Sequence, residues 1–459
     1  MNDDTVPQSV FFPDLFEKPL TAIFDQAHAS SDGGAVLLKA ADRRLGVTTA
    51  IADCLTETRT PAKVTHTLRA LVAQRVFGIA CGYPDANDAD RLADDPIQKL
   101  LLDRDPITGG ALASQPTISR FENGVGRAAL YQAGCDLAAG LVARHQHRLR
   151  GRARLITIDL DPTDDPTHGA QQLTFFNGHY NTWCYLPVLA FLTFNDEAEQ
   201  YLCAALLRPG NVPTACGAVG LLRRLLGLLR IAFPAARVRV RLDGGFATPA
   251  ILDLLDAAPR LDYVVAMGRN AVLARLAEPA MAQMRTQSEA TGATAHVYLE
   301  ARYAAQTWAH DRRVVIKAEV VRLPGRRPKD NARFVITNGR QTPRFVYEQI
   351  YCARGDIENR IKELHHDLAI GRTSCTRFWA NQLRVLLTTA AYMLWQEVRL
   401  RAARTRYARA QVATLRLRLL KLGARVVTSV RRIVLHLPRA AADRAAWCHI
   451  ACQLGARPG

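Results

Sequence analysis

The stretch from Arg154 to Met267 most limits what this chain can fold into, because its hydrophobic period switches repeatedly between two residues and helical spacing. Arg154-Leu-Ile-Thr-Ile-Asp-Leu-Asp161 alternates and is rich in β-branched residues. A turn-forming Asp161-Pro-Thr-Asp-Asp-Pro-Thr-His-Gly169 comes next, and then a second strand-like run, Tyr185–Phe194. The two runs predict a hairpin. Gly217–Phe233 carries leucines at helical spacing, Arg237–Asp243 alternates as a strand does and ends in Asp-Gly-Gly, Thr248–Ala258 is helical, and Leu261–Met267 is strand-like. Strand, hairpin, helix, strand, helix, strand is a mixed α/β core.

The flanks divide by texture. Residues 1–60 are mixed, with a helical pattern around Ala35–Leu45 and no assigned role. Residues 61–150 read as an all-helical N-terminal domain, from apolar spacing in Leu68–Phe77 and Ala128–Leu141. Inside it, Ser114-Gln-Pro-Thr-Ile-Ser-Arg120 has a serine cap, an early proline and an exposed arginine, which are helix-start signals. Such a turn suits a DNA phosphate or base edge, as the second helix of a helix-turn-helix does; an ordinary capped surface helix accounts for the same residues. Residues 151–268 form the first part of the core, and 269–345 read as a β-rich insertion from Ala295–Leu299, Val314–Leu323 and Arg333–Thr337. Helices at Val346–Gly371 and Arg377–Tyr407 close the core over 346–400, and 401–459 is a basic tail.

Charge points to a polyanion partner. Lysine and arginine number 60 against 42 acids, a formal net charge of +18, and most of that surplus lies in the tail, where thirteen basic residues face the single acid Asp443. Arg404–Lys421 reads as a helix and Arg425–Leu437 as a strand, both suited to non-specific phosphate contact. The ten cysteines are scattered without a C-x-x-C pair, and Met1-Asn-Asp-Asp lacks the basic and apolar regions of a signal peptide. The expectation is a reducing cytoplasm with no structural zinc. Apolar runs such as Tyr185–Phe194 and Leu383–Trp395 fall short of the roughly 18–20 residues that cross a bilayer, so no membrane span is expected.

Asp161, with Asp159 on the same face, and Asp243 stand at the C-terminal ends of two strands of one sheet, and Glu358 lies on a later helix. Three such acids suit hard Mg²⁺. Cutting a phosphodiester in line calls for one ion to activate the nucleophile and another, about 3.5–4 Å away, to stabilise the leaving oxygen. Tyr351, Arg354 and Glu358 are spaced by three and four residues, with Lys362 and His365 continuing that face, so cationic and aromatic groups flank the acid. Backbone-capped strand-end aspartates and an Arg354–Glu358 ion pair account for the same residues taken singly.

Taken together, the blocks are more specific. Asp159–Gly169, followed by Phe175-Phe-Asn-Gly-His-Tyr180 and Cys184–Phe191, then Arg241-Leu-Asp-Gly-Gly-Phe246, then Tyr351-x-x-Arg354-x-x-x-Glu358, with Ser114–Arg120 upstream, resemble DDE transposases of bacterial insertion sequences. The likeness is strongest to the insertion-sequence 1380 family, related to the insertion-sequence 4 group. It implies an RNase H-like catalytic core with a β-rich insertion, acting with Mg²⁺ (two ions, Mn²⁺ substituting) on terminal inverted repeats and target DNA, in an active complex that is a homodimer. It further implies Asp161, Asp243 and Glu358 as metal ligands, and Tyr351 and Arg354 as contacts to double-stranded DNA. Asp159 and Asp161 both fit the first acid, and the following Pro-Thr favours Asp161. Where insertion-sequence 4 relatives carry a lysine seven residues after the glutamate this chain has His365, so Lys362 or His365 takes that phosphate contact. Trp308 is either core of the insertion or a platform for an unpaired base. A nuclease that only hydrolyses, or a catalytically inactive DNA-binding repressor descended from a transposase, are the competing functions.

Overall fold

The computed structural model describes residues 9–457, so the Met1–Asp4 start read above for targeting lies outside it. Eight strands form the body of one mixed sheet: β1 (Leu155–Pro162), β2 (Val188–Phe194), β3 (Tyr201–Leu206), β4 (Arg237–Leu242), β5 (Leu261–Met267), β6 (Ala295–Tyr303), β7 (Arg312–Val321) and β8 (Arg333–Thr337). Their spatial order is β6-β7-β8-β5-β4-β1-β2-β3, and the two-residue piece Lys329–Asp330 pairs beside β7 as a ninth strand. β4 runs parallel to both β1 and β5, whereas β2 is antiparallel to β1 and β3 to β2. The predicted hairpin is β1–β2. Its connection carries a small sheet of its own, made of Asp165–Pro166, Phe175–Asn177 and Thr182–Tyr185.

Local sequence explains the central strands. Ile156–Leu160 and the whole of β2 are buried, as expected where both faces of a sheet are covered and the strand reads as a nearly continuous apolar run. The helix Ala218–Ala232 leads from β3 towards β4, and Pro249–Ala257, with proline in its first turn, crosses from β4 to the parallel β5.

The 269–345 segment differs from the expected β-rich insertion in two ways. It opens with a 21-residue helix, Ala271–Thr291, capped by the Asn270 side chain and ended by left-handed Gly292. Its strands also form no separate sheet: β8 pairs antiparallel with β5, and β7 and β6 lie successively further out, so the segment extends the central sheet. Hydrophobic period marked the three strand runs but carried no information about their partners.

Residues 61–150 contain helices only, yet they are not a separate body. Buried side chains from Ala35 to Leu454, including those of Leu68–Cys81 and Arg127–Arg148, belong to one continuous core. At its centre lies the helix Phe378–Arg401, buried around almost its whole circumference. Gln382 and Gln396 sit fourteen residues, about four turns, apart on it and both face the open edge of β3. Gln382 accepts from Leu207 N (2.7 Å) and donates to Ala205 O (3.3 Å); Gln396 accepts from Leu202 N (3.1 Å) and donates to Gln200 O (2.7 Å). The edge strand's backbone groups are thus satisfied by side chains.

The chain's two flanks meet. Ala29–Ser30 pairs with Ala424–Ser429, which pairs in turn with Arg432–His436, and Lys421 Nζ lies 2.6 Å from Asp32 Oδ1. The tail therefore departs from expectation. Within the 404–421 stretch helical structure is confined to Val412–Leu420, a further helix runs over Arg444–Gln453, and the strand expected over 425–437 is a hairpin turning at Val430-Arg431. Among the described residues no helix is long and apolar enough to cross a membrane.

Candidate active site

Sheet register builds the site. Arg241 on β4 is the lateral partner of Asp159 on β1, so Asp243 and Asp161, two residues further along parallel strands, come to the same edge on the same face. Asp159 is fully buried, and Arg241 grips both its oxygens, donating from Nε to Oδ1 (2.7 Å) and from Nη2 to Oδ2 (2.7 Å). Each oxygen of that carboxylate is thus engaged by the Arg241 fork. Asp161 is open on one side. Asp243, just past the end of β4, accepts from Gly245 N (2.8 Å) in the Asp-Gly-Gly turn, where a side chain in place of Gly245 would meet Thr214 at 2.7 Å.

Between the two acids lies a cation. Arg354 Nη2 donates to Asp161 Oδ1 at 2.6 Å and stands 3.8 Å from Asp243 Oδ2, and it also reaches the Leu160 carbonyl (3.4 Å). Burial pushes the Asp161 carboxyl up to about 6, against the pull of Arg354 and with the charge of Asp243 adding to the rise. Two hard oxygen donors that already share a positive charge are a chemically fitting set for a divalent ion such as Mg²⁺, with the guanidinium as its stand-in.

Glu358 does not join them. Among the described residues no group of three or more His, Cys, Asp or Glu side chains gathers to hold a metal ion. Glu358 is exposed. The face expected from spacings of three and four assumes one regular helix, but Pro343–Asp367 is broken into a wide turn at Val346–Tyr351, a tight 3₁₀ turn at Cys352–Gly355, a short α-helix at Asp356–Lys362 and a second wide turn at Glu363–Asp367. Each change of winding rotates the next stretch of helix about its axis, so Arg354 reaches the acids while Glu358 and Lys362 face solvent.

The remaining expected residues each have their own surroundings. Tyr351 is half-buried beside Tyr347 (ring centroids 5.6 Å apart), and burial raises its phenol. His365 shares a 2.9 Å hydrogen bond with Thr163 Oγ1, on the turn after β1, and burial holds the imidazole below its ordinary value. It is a partly buried prop for that turn. Ser114 occupies the cap position of the Gln115–Gly124 helix without a side-chain capping bond; Asp90 instead accepts from Gln115 N (2.8 Å). Arg120 is exposed and touches Thr117 (3.3 Å). Trp308 packs edge-on to Tyr303 (5.3 Å) with the Arg312 guanidinium over its ring (4.9 Å).

Two members of the neighbourhood escaped sequence reasoning. Arg241 was legible in principle, two residues before Asp243 on the same strand face. Asp165 was not: it is buried, accepts from Thr373 Oγ1 (2.7 Å), leaves Oδ1 without a partner, and is pushed by burial up to about 7.

A mixed α/β sheet with paired acids at the ends of adjacent parallel strands is the class that fold and site define. The chain belongs to the family described as transposase DDE domain group 1, whose model matches residues 12–457. Among solved structures it is similar to piggyBac transposase in a cryo-EM synaptic complex with hairpin DNA, at 9% identity over 79% of this chain and 74% of that one, with a TM-score of 0.41. A paired-end complex of Mos1 transposase with the left transposon end matches at 15% identity, 44% of this chain, 65% of that one and a TM-score of 0.17. No curated protein matches.

Proposed function

We propose that this chain is a DNA transposase, of the insertion-sequence 1380 type, that binds terminal inverted repeats and cuts and joins DNA strands with a divalent metal ion on an RNase H-like core. The observation that carries the reading is the pair Asp161 and Asp243, side by side at the ends of parallel strands with a cation between them. Asp161 is the first acid because Asp159 is committed to Arg241. Asp161 and Asp243 would hold the ion, and Glu358 enters as third ligand through the family resemblance. When bound, Mg²⁺, or Mn²⁺ in its place, lowers the pKa of the attacking water or 3′-hydroxyl and stabilises the leaving oxygen.

The chain's own residues do the rest. Arg354 shares its positive charge between the two acids, and Arg241 locks β1 against β4 so that the two aspartates keep their spacing. Tyr351 lies beside them, and exposed Lys362 and Arg120 supply phosphate contacts. Pairing two transposon ends makes the active complex a homodimer.

The test is cleavage of a DNA fragment carrying the inverted repeats that flank the gene, with Mg²⁺, by wild type and by D161N, D243N and E358Q. Cleavage is lost in each variant while end binding persists; near-normal cleavage by D161N or D243N refutes the assignment. Exposed Glu358, outside any three-acid group, is the observation favouring a catalytically silent DNA-binding relative. That reading predicts binding without cleavage in the wild type. A strand-transfer product from a pre-cut end separates a transposase from a nuclease that only hydrolyses.

A further inference from the structure

A second polar cavity, of about 360 Å³, lies away from the paired aspartates, between the Gln115–Gly124 helix, the turn after Leu68–Cys81 and the start of the Phe378–Arg401 helix. Its inner wall holds Arg384. That residue sits on the most deeply buried helix of the protein, flanked by Leu383, Val385 and Leu386, and is 3% exposed. Both of its terminal nitrogens are buried without a hydrogen-bond partner, and it is the one arginine among the described residues with both buried and left so.

The neighbouring charges do not account for it. Glu122 accepts from Arg75 Nε at 2.7 Å, and Asp85 pairs with Arg372, so each carboxylate lining the cavity already has its own guanidinium. Three arginines face two acids, and Arg384 is the surplus charge. Burial, with Arg75 beside it, pulls the Arg384 guanidinium down to about 9, which leaves it charged at neutral pH. A buried, unpaired cation persists only where something else supplies the missing anion.

We propose that this cavity is an oxyanion site, which takes a phosphate group on the Arg384 guanidinium with Arg75 and Arg372 beside it. The two free Nη groups form a planar fork that matches a pair of phosphate oxygens. Ser119 and Ser374 on the wall offer further hydroxyl donors. One uncompensated positive charge is balanced by one negative charge, carried equally by a phosphodiester or by monobasic inorganic phosphate. Arg372 and Ser374 are exposed, so the anion enters from solvent. The site stands independently of the proposed metal chemistry, since none of its residues touches Asp161 or Asp243.

The test titrates the full-length protein with inorganic phosphate at constant ionic strength, by calorimetry and by thermal shift, with chloride as control. Wild type binds phosphate saturably and melts higher in its presence, and R384M binds at least tenfold more weakly. R372Q, which alters a half-exposed side chain and so preserves the fold, is weakened as well and carries the test should R384M not fold. Repeating the titration with a saturating duplex that lacks terminal repeats identifies the source. Loss of phosphate binding under DNA, with weaker duplex binding by R384M, assigns the site to a backbone phosphate; unchanged phosphate binding assigns it to free phosphate. Equal phosphate binding and equal duplex affinity in wild type, R384M and R372Q overturn the proposal.

Discussion

Replacing Arg241 by methionine isolates the structural ion pair beneath the candidate site. Asp159 is fully buried, and both its oxygens are held by Arg241 at 2.7 Å, so R241M leaves a carboxylate in the interior without its partner. Removing one member of such a pair costs about 3–5 kcal/mol, far more than a surface pair is worth. The unfolding entropy near 60 °C is roughly 2.1 cal/mol/K per residue, about 1 kcal/mol/K for a chain of this size, so Tm falls by roughly 3–5 °C. Arg241 Nη1 also donates to the Ile350 carbonyl (3.3 Å), so the broken helix over β4 loosens at the same time. The assay is urea denaturation followed by tryptophan fluorescence, with R241M set beside the double variant D159L/R241M. The double variant removes both charges at similar volume and returns to within about 1 kcal/mol of wild type, because the cost lies in the stranded charge and not in the missing contact. A loss below about 1 kcal/mol in R241M, or a double variant no better than the single one, refutes the reasoning.

Other outcomes rest on separate parts of the molecule. Asp165 is raised from 3.8 to about 7, so its folded-state advantage is complete below about pH 4 and gone above pH 7; D165N is therefore more stable than wild type at pH 8, by up to about 4 kcal/mol, with the gap closing by pH 4 in denaturant melts, and a pH-independent gap contradicts this. Neutralising exposed Arg409, Arg418, Arg425 and Arg432 weakens binding to all DNA and flattens its salt dependence, whereas Arg416, donating to Ala80 O (3.1 Å) and Asp367 O (2.5 Å), is structural and its loss shows in stability. An unchanged salt slope counts against the tail. Q396A strands the Leu202 N–H and the Gln200 carbonyl and costs about 1–3 kcal/mol per group, measurable by denaturation; an unaltered midpoint removes Gln396 from the edge-satisfying role.

The strand-length runs Leu155–Asp161 and Arg237–Leu242, rich in β-branched residues and each followed by turn residues, made β1 and β4 legible, and with them the two strand-end aspartates, even though burial of Ile156–Leu160 is continuous. The helix Ala271–Thr291 was masked by Pro279, ordinarily a breaker, although Leu273, Ala277, Met281 and Met284 are buried at helical spacing. The union of β8 with β5 was hidden for another reason, since Met267 and Phe334 pair across some seventy residues and local pattern holds no record of such partners. Around Glu358 the failure was one of winding. A spacing of three and four predicts a shared face only at 3.6 residues per turn, and the segment from Val346 to Asp367 changes pitch three times. Arg384 was visible only as an interruption in an apolar run; that it sits unpaired against a cavity depends on residues three hundred positions away.

The pairing of Ser30 with Ala424 carries a consequence for how the protein is made. Nearly four hundred residues must leave the ribosome before that small sheet can close, and the Leu38, Phe77 and Leu419 side chains wait as long to share one interior. Folding is thus a non-local event, and newly emerging helices remain in need of shielding from one another until the strand at Ala424 has been made. A product cut short upstream of Ala424 would retain the paired aspartates yet lack the clasp joining its first helices to the rest, and belongs with the substrates of chaperones and proteases.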